Sequence, residues 1–152
     1  MNALSNRRYQ WLQWVLRLSG ISFLVFFGGA IVLNFLNMTP VFMQSEAGQL
    51  FLRMLRWGGI EGTAGGIAYE YMIATIYVVW GIFLIMAAQA PLKHKLFIDF
   101  SVLGNVAHFG LMLLMGLIME NEHTHLYGDV LLGWLMLITL IAVWWPVRRF
   151  AA

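Results

Sequence analysis

The sequence predicts an all-α fold, a four-helix transmembrane bundle with a short interfacial helix between the first and second helices. Three observations carry this. Of 152 residues, 61% are hydrophobic and only 11% charged, with a mean hydropathy of +0.78. A soluble domain runs about 45–50% apolar and about 25% charged, so this chain has too little charge to clothe a solvated globule. Four apolar segments each reach the roughly 20 residues that a helix needs to cross a bilayer core of about 30 Å, where lipid offers the backbone no other hydrogen-bond partner. Finally, the Lys and Arg residues gather at alternate ends of those segments, which orders them into antiparallel spans.

Composition also excludes several classes. Burial capacity is too high for a disordered chain. A net charge of +2, spread over the chain, does not suit nucleic acid. With no cysteine there is neither a disulfide nor a thiolate metal site. One membrane domain spanning 1–152 is expected.

The first span is expected over 11–36. Arg7-Arg8 ahead of an apolar run resembles a secretory leader, but the run is too long for an h-region and no small-x-small cleavage site follows. It therefore reads as a retained span. A connection of about 29 residues follows, long for a link between helices. Ser45-Glu46 can start a helix in it, because a Ser side chain caps free N–H groups and an acid suits the first turn. Over 46–57, Leu50, Phe51, Met54 and Leu55 then share a face, with Arg53 and Arg56 placed to reach lipid headgroups. That is the pattern of a helix lying in the membrane interface; packing over the bundle is compatible with it. Gly58, Gly62 and Gly66 recur every four residues, which on a helix makes a smooth strip for close packing. A phosphate loop is not expected there, since its Lys-Ser/Thr ending and preceding strand are missing.

Span two is expected over 66–88, closed by Pro91 and Lys93, and span three over 96–119, ended by Glu120-Asn121-Glu122. Span four covers 127–145 and should stop at Pro146 and Arg148-Arg149. Arg7, Arg8, Arg17, Lys93, Lys95, Arg148 and Arg149 then lie on one side, leaving only Arg53 and Arg56 on the other. The positive-inside rule puts both termini in the cytoplasm, of a bacterial inner membrane by the resemblance described below. Tyr9, Trp11, Trp14, Trp144 and Trp145 form an aromatic girdle at that face.

Ionisable groups inside spans cost roughly 2.5–3.5 kcal/mol at mid-depth on insertion scales and so mark candidate sites. Here they are Glu70, Asp99, His108 and Asp129, joined by Tyr77 and Asn105. At about 1.5 Å per residue, Glu70 and Asp129 share a level one turn below the outer surface. Asp99 lies one turn above the inner surface, and His108 near the midplane with Asn105 a turn away. Glu70, Tyr77, Asn105, His108 and Asp129 are the binding candidates. Above them, Glu120, Glu122, His123 and His125 supply carboxylates and imidazoles for a divalent metal, although their spacing matches no defined motif. His108, Met112, Met115 and Met119 form a stripe whose thioethers would suit copper; methionine is also an ordinary filler of gaps between helices. Bis-histidine haem has only His108 at depth. No catalytic residue is assigned, because no nucleophile–His–acid set is present at one level.

From Glu70 to Met112 the chain resembles a family of small bacterial four-span membrane proteins without an assigned function. The resemblance runs through Glu70, Met72, Ile76-Tyr77, Gly81-Ile82-Phe83-Leu84, Ala87, Pro91, His94, Phe100, His108 and Met112. More remotely, it is similar to DoxX-like four-span proteins. The likeness implies the four-helix architecture and draws attention to Glu70, Tyr77, His94 and His108; it implies no reaction.

Three functions are weighed on this basis. The first is a non-catalytic accessory or structural subunit packing in a larger membrane complex, its partners being lipid and other proteins or further copies of itself. The second is a binding or transport protein with an outer polar or metal site at Glu70, Asp129 and the Glu120–His125 loop. The third is a membrane enzyme on a lipophilic substrate, of which glutathione-using four-span enzymes are one kind; their motif is not recognised here.

Overall fold

The computed structural model describes residues 3–57 and 64–150. Four long helices carry the four expected spans: α1 (Ala3–Phe35), α4 (Ala64–Ala87), α5 (Lys95–Ile118) and α6 (Asp129–Phe150). Two short helices, α2 (Thr39–Phe42) and α3 (Glu46–Leu55), lie in the long connection, and 3₁₀ turns at Pro91–Lys93 and Glu120–Tyr127 make the other two links. The fold is the all-α bundle that the sequence predicts. Only 22–33% of each span's most apolar stretch is buried by the protein itself. Such a band of uncovered apolar surface is foreign to a soluble monomer and is what lipid requires.

Around the bundle the order is α1, α4, α5, α6, with α6 returning to α1 and α5 diagonal to α1. The closest pair is α1 and α4, where Gly20 and Gly81 lie face to face. A Cβ added at Gly20 would sit 2.6 Å from the Gly81 carbonyl oxygen, and one at Gly81 2.7 Å from that of Gly20. This backbone approach is a small-residue contact between two spans. Gly58 and Gly62 fall outside the described residues, and Gly66 stands in the first turn of α4. Elsewhere aromatic rings fill the wider spaces: Trp80 against Gly104 between α4 and α5, and Phe109 against Gly133 between α5 and α6. The apolar core sits toward the end that carries the termini, around Leu12, Leu16, Leu84, Ile98, Leu140 and Trp144.

Local chemistry sets the helix ends. Asn37, at φ 51°, closes α1 in the left-handed region that Asn tolerates. The Met38 N–H then reaches the Leu33 carbonyl and the Asn37 N–H that of Asn34, at 2.9 and 3.0 Å. Ser45 caps α3 as expected, its Oγ accepting from the Gly48 N–H at 3.1 Å. Helix α6 does not stop at Pro146 but continues to Phe150 with the proline inside it. A proline removes one N–H and crowds one carbonyl, a defect that tertiary contacts can carry: Val147 is buried beyond it and Arg148 is tied to Asp99.

Candidate functional site

The intramembrane polar residues fall into three groups at three depths. At the end of the long connection, the consecutive residues Arg56 and Trp57 each take hold of one acid. Arg56, expected to reach headgroups, is instead buried. Its Nε donates to Glu70 Oε2 at 3.2 Å, and its two terminal nitrogens donate to Thr39 Oγ1 at 3.2 Å and Asn34 Oδ1 at 2.7 Å. One guanidinium thus joins the end of α1, the start of α2, the end of α3 and α4. Arg53 alone of the pair is exposed.

Trp57 turns the other way. Its Nε1–H donates to Asp129 Oδ2 at 2.9 Å, and its ring stacks on His125. His125 Nδ1 meets Asp129 Oδ1 at 2.9 Å, so a carboxylate acceptor there requires the proton on Nδ1. Asp129 Oδ1 also accepts the Val130 N–H at 2.9 Å, at the start of α6. On the other edge of the ring, Glu122 Oε2 lies 3.1 Å from His125 Nε2, close enough for an ion pair but without hydrogen-bond alignment. An imidazole between two carboxylates is suited to holding or passing a proton. His125 is fully buried, and the Glu122 and Asp129 side chains are 9% and 10% exposed.

The neighbouring contacts seat α3 on the 3₁₀ turn. Thr124 Oγ1 donates to the Arg53 carbonyl at 3.0 Å, and Gly128 leaves room for the Met54 carbonyl, which a Cβ would approach to 2.5 Å. His123 is directed to the Met119 carbonyl at 2.9 Å, and Glu120 stands exposed. Of Glu120, Glu122, His123 and His125, only Glu122 and His125 approach each other; His123 and Glu120 turn away from them. Among the described residues no three His, Asp or Glu side chains are gathered as a metal would need.

The second group lies at mid-depth. Tyr77 is buried between Phe27, stacked on it at 4.3 Å, and Trp80, stacked at 5.3 Å, with the His108 ring 5.3 Å away. Trp80 Nε1–H donates to Ser101 Oγ at 2.8 Å, and Asn105 Nδ2 donates to the Ser101 carbonyl at 2.7 Å. Asn105 Oδ1 is buried without a hydrogen-bond partner among the described residues. Of the methionines on the same helix, Met112 and Met115 are half-buried and Met119 is exposed.

The third group stands near the termini. Asp99 accepts from Trp144 Nε1–H at 2.9 Å and from Arg148 Nε at 2.7 Å, locking α5 to α6. His94 begins α5 with its side chain exposed and makes no capping bond.

The structure thus separates the five binding candidates. Glu70 and Asp129, expected at one level, each have their own partner; Tyr77 and His108 meet elsewhere, and Asn105 is bonded to Ser101. Sequence reasoning missed Trp57 as the partner of Asp129 and placed Arg56 at the headgroups. The signal available was that Trp57 is the only tryptophan outside the spans.

The fold and these groups define a small helical membrane protein in which Glu70, Asp99 and Asp129 tie helices and connections together. The family model for the Family of unknown function (DUF6632) matches residues 53–149, and the chain belongs to that family. No curated protein and no solved structure matches the chain.

Proposed function

We propose that this protein is a non-catalytic membrane subunit that acts by packing laterally against another transmembrane segment. One observation carries this reading. Between α1 and α6 a groove of about 250 Å³, lined by Ser19, Ser22, Leu135, Met136 and Thr139, opens to the outside of the bundle. The Ser19 and Ser22 hydroxyls make no hydrogen bond among the described residues, and Thr139 bonds only back to Leu135 of its own helix. The spans Asn6–Phe35 and Asp129–Arg149 are centred within two residues of these positions. At that depth lipid presents only acyl chain, which cannot pair a hydroxyl, whereas a second helix can.

The basic residues at the end carrying the termini support an orientation with both termini cytoplasmic, in a bacterial inner membrane. The remote likeness to DoxX-like proteins adds architecture to this reading and no reaction. The test is the mass of the protein extracted from its native membrane in a lipid-preserving polymer. An assembly larger than one chain is expected, and a lone chain throughout overturns the reading.

A second reading has its own observation, the unpartnered Asn105 Oδ1 beside Tyr77 and His108. In it the mid-depth cluster binds a lipid-soluble hydroxyl compound, whose O–H donates to Asn105 Oδ1. A short-chain quinol should raise the melting temperature of the wild type but not of Asn105→Leu; an equal rise in both sets this reading aside.

A further inference from the structure

Resting on the packing role proposed above, the geometry points to a second copy of this chain, bound through α1 in a parallel two-fold contact, as the occupant of the α1–α6 groove.

The surface beside the groove is a seam. Leu18, Ser22, Val25, Gly29 and Val32 follow one another at steps of four and three residues along α1, and Leu36, just past its end, continues the pattern. Leu18, Val25, Val32 and Leu36 are 57%, 69%, 54% and 59% exposed, and a Cβ at Gly29 would meet nothing within 4 Å. A 4–3 alternation is the spacing that keeps one helix against another in a left-handed pair crossing near 20°. The seam rises about 27 Å over its length at 1.5 Å per residue, close to the thickness of the bilayer core. None of the described residues covers it.

Small residues alone would not choose an occupant. The hydroxyls do. Ser19 is 97% buried and lines the groove, yet has no hydrogen-bond partner among the described residues, and Ser22 stands open beside it. A hydroxyl both donates and accepts, so the group that complements Ser22 most simply is another Ser22 at the same depth. Two copies inserted in the same direction supply that by symmetry: a two-fold axis along the membrane normal sets every residue of α1 level with itself. Ser22 then meets Ser22, Gly29 meets Gly29 and lets the backbones close, and the valines between them interdigitate. A single apolar segment of a different protein matches this pattern only if it repeats the same spacing.

The chain contains no cysteine, so single-cysteine variants report one position each. In native membranes, Ser22→Cys, Val25→Cys and Gly29→Cys should form a covalent dimer of twice the chain mass on treatment with a membrane-permeant oxidant. Leu103→Cys and Leu111→Cys, exposed on the diagonal helix α5, should not. Gly29→Leu should abolish the Val25→Cys dimer, and Ser22→Ala should weaken dimer formation about threefold, the worth of an average interhelical hydrogen bond in membranes. Equal dimer yield from α5 and α1 overturns the proposal, as does a Gly29→Leu variant that dimerises as before. Adducts from the α1 positions to a protein of another mass overturn the second copy and leave the packing role standing. No adduct of any mass from any face, with one chain found in the extracted particle, removes both.

Discussion

The indole of Trp57 lies on the imidazole of His125, ring centroids 4.0 Å apart and planes 20° from parallel. The same indole donates to the carboxylate that holds His125 from the side. A residue beyond the end of α3 thereby reaches the first residue of α6, 72 positions away in the chain. Because Arg56 immediately before it grips Glu70, two neighbouring residues fasten the long connection to both α4 and α6. The ionisable groups here are the fittings of a strap, which explains how acids can stand one turn inside the membrane at tolerable cost.

Trp57 contributes a stacked ring and a donated hydrogen bond, and substitutions separate them. Trp57→Phe keeps a ring over His125 and removes one bond to Asp129, which retains His125 and Val130 as donors. The expected loss is about 1 kcal/mol. Trp57→Ala also removes the stack and its buried area, so roughly twofold to threefold more is expected. Thermal unfolding in detergent measures both. Equal losses would show that the stack contributes nothing.

The Arg56–Glu70 pair is unequal. Arg56→Ala leaves Glu70, Asn34 and Thr39 all without their donor, and breaking a buried pair by removing one partner costs about 3–5 kcal/mol. With the Glu70 side chain 26% exposed, the lower end of that range is expected. Glu70→Gln still accepts from the guanidinium and should cost about 1 kcal/mol. Loss of Arg56 should also loosen α3, so trypsin should cut after Arg53 faster in Arg56→Ala than in the wild type. An unchanged cleavage rate would separate the pair from the seating of α3.

The four spans were legible in the sequence because the bilayer imposes a one-dimensional rule, a minimum run of apolar residues, that needs no knowledge of neighbours. The Ser45 cap was legible for a similar reason, since its donor lies three residues on. Arg56 was misread because headgroups and Glu70 are equally within reach of a long side chain, and only the fold decides between them. Asp129 was found by depth, yet Trp57 and His125 around it are brought together by how the connection folds back. The Gly20–Gly81 approach joins two glycines in different spans with no shared motif. Pro146 was read as a stop because its local defect is visible in sequence and the contacts that outweigh it are not.

Two glycines in spans should respond oppositely to one methyl group. At Gly81 the added Cβ would lie 2.7 Å from the backbone carbonyl of Gly20, which cannot rotate away. Overpacking of this kind costs about 1–3 kcal/mol, so Gly81→Ala should lower the melting temperature and separate α1 from α4. At Gly110 nothing lies within 4 Å, and alanine saves the backbone entropy that costs a mid-helix glycine about 0.5–1 kcal/mol. Gly110→Ala should therefore be neutral or stabilising. If both variants melt alike, the close approach of α1 and α4 is not what holds them.

At the opposite end, Asp99 serves two donors of different character. Trp144 is 2% exposed and its Nε1–H has no other acceptor among the described residues, whereas the Arg148 side chain is 47% exposed and stays solvated when unpaired. A buried donor left without a partner costs about 1–3 kcal/mol, while an exposed ion pair contributes little. Asp99→Leu should therefore destabilise the bundle clearly, Arg148→Ala only slightly, and Asp99→Asn should fall between them because its amide oxygen still accepts from the indole. The decisive variant is the double one. If the penalty of Asp99→Leu is the orphaned N–H, adding Trp144→Phe removes the orphan and should restore part of the lost melting temperature, although Trp144→Phe alone lowers it. Strictly additive losses in the double variant would assign the stability of this corner to the Arg148 pair instead.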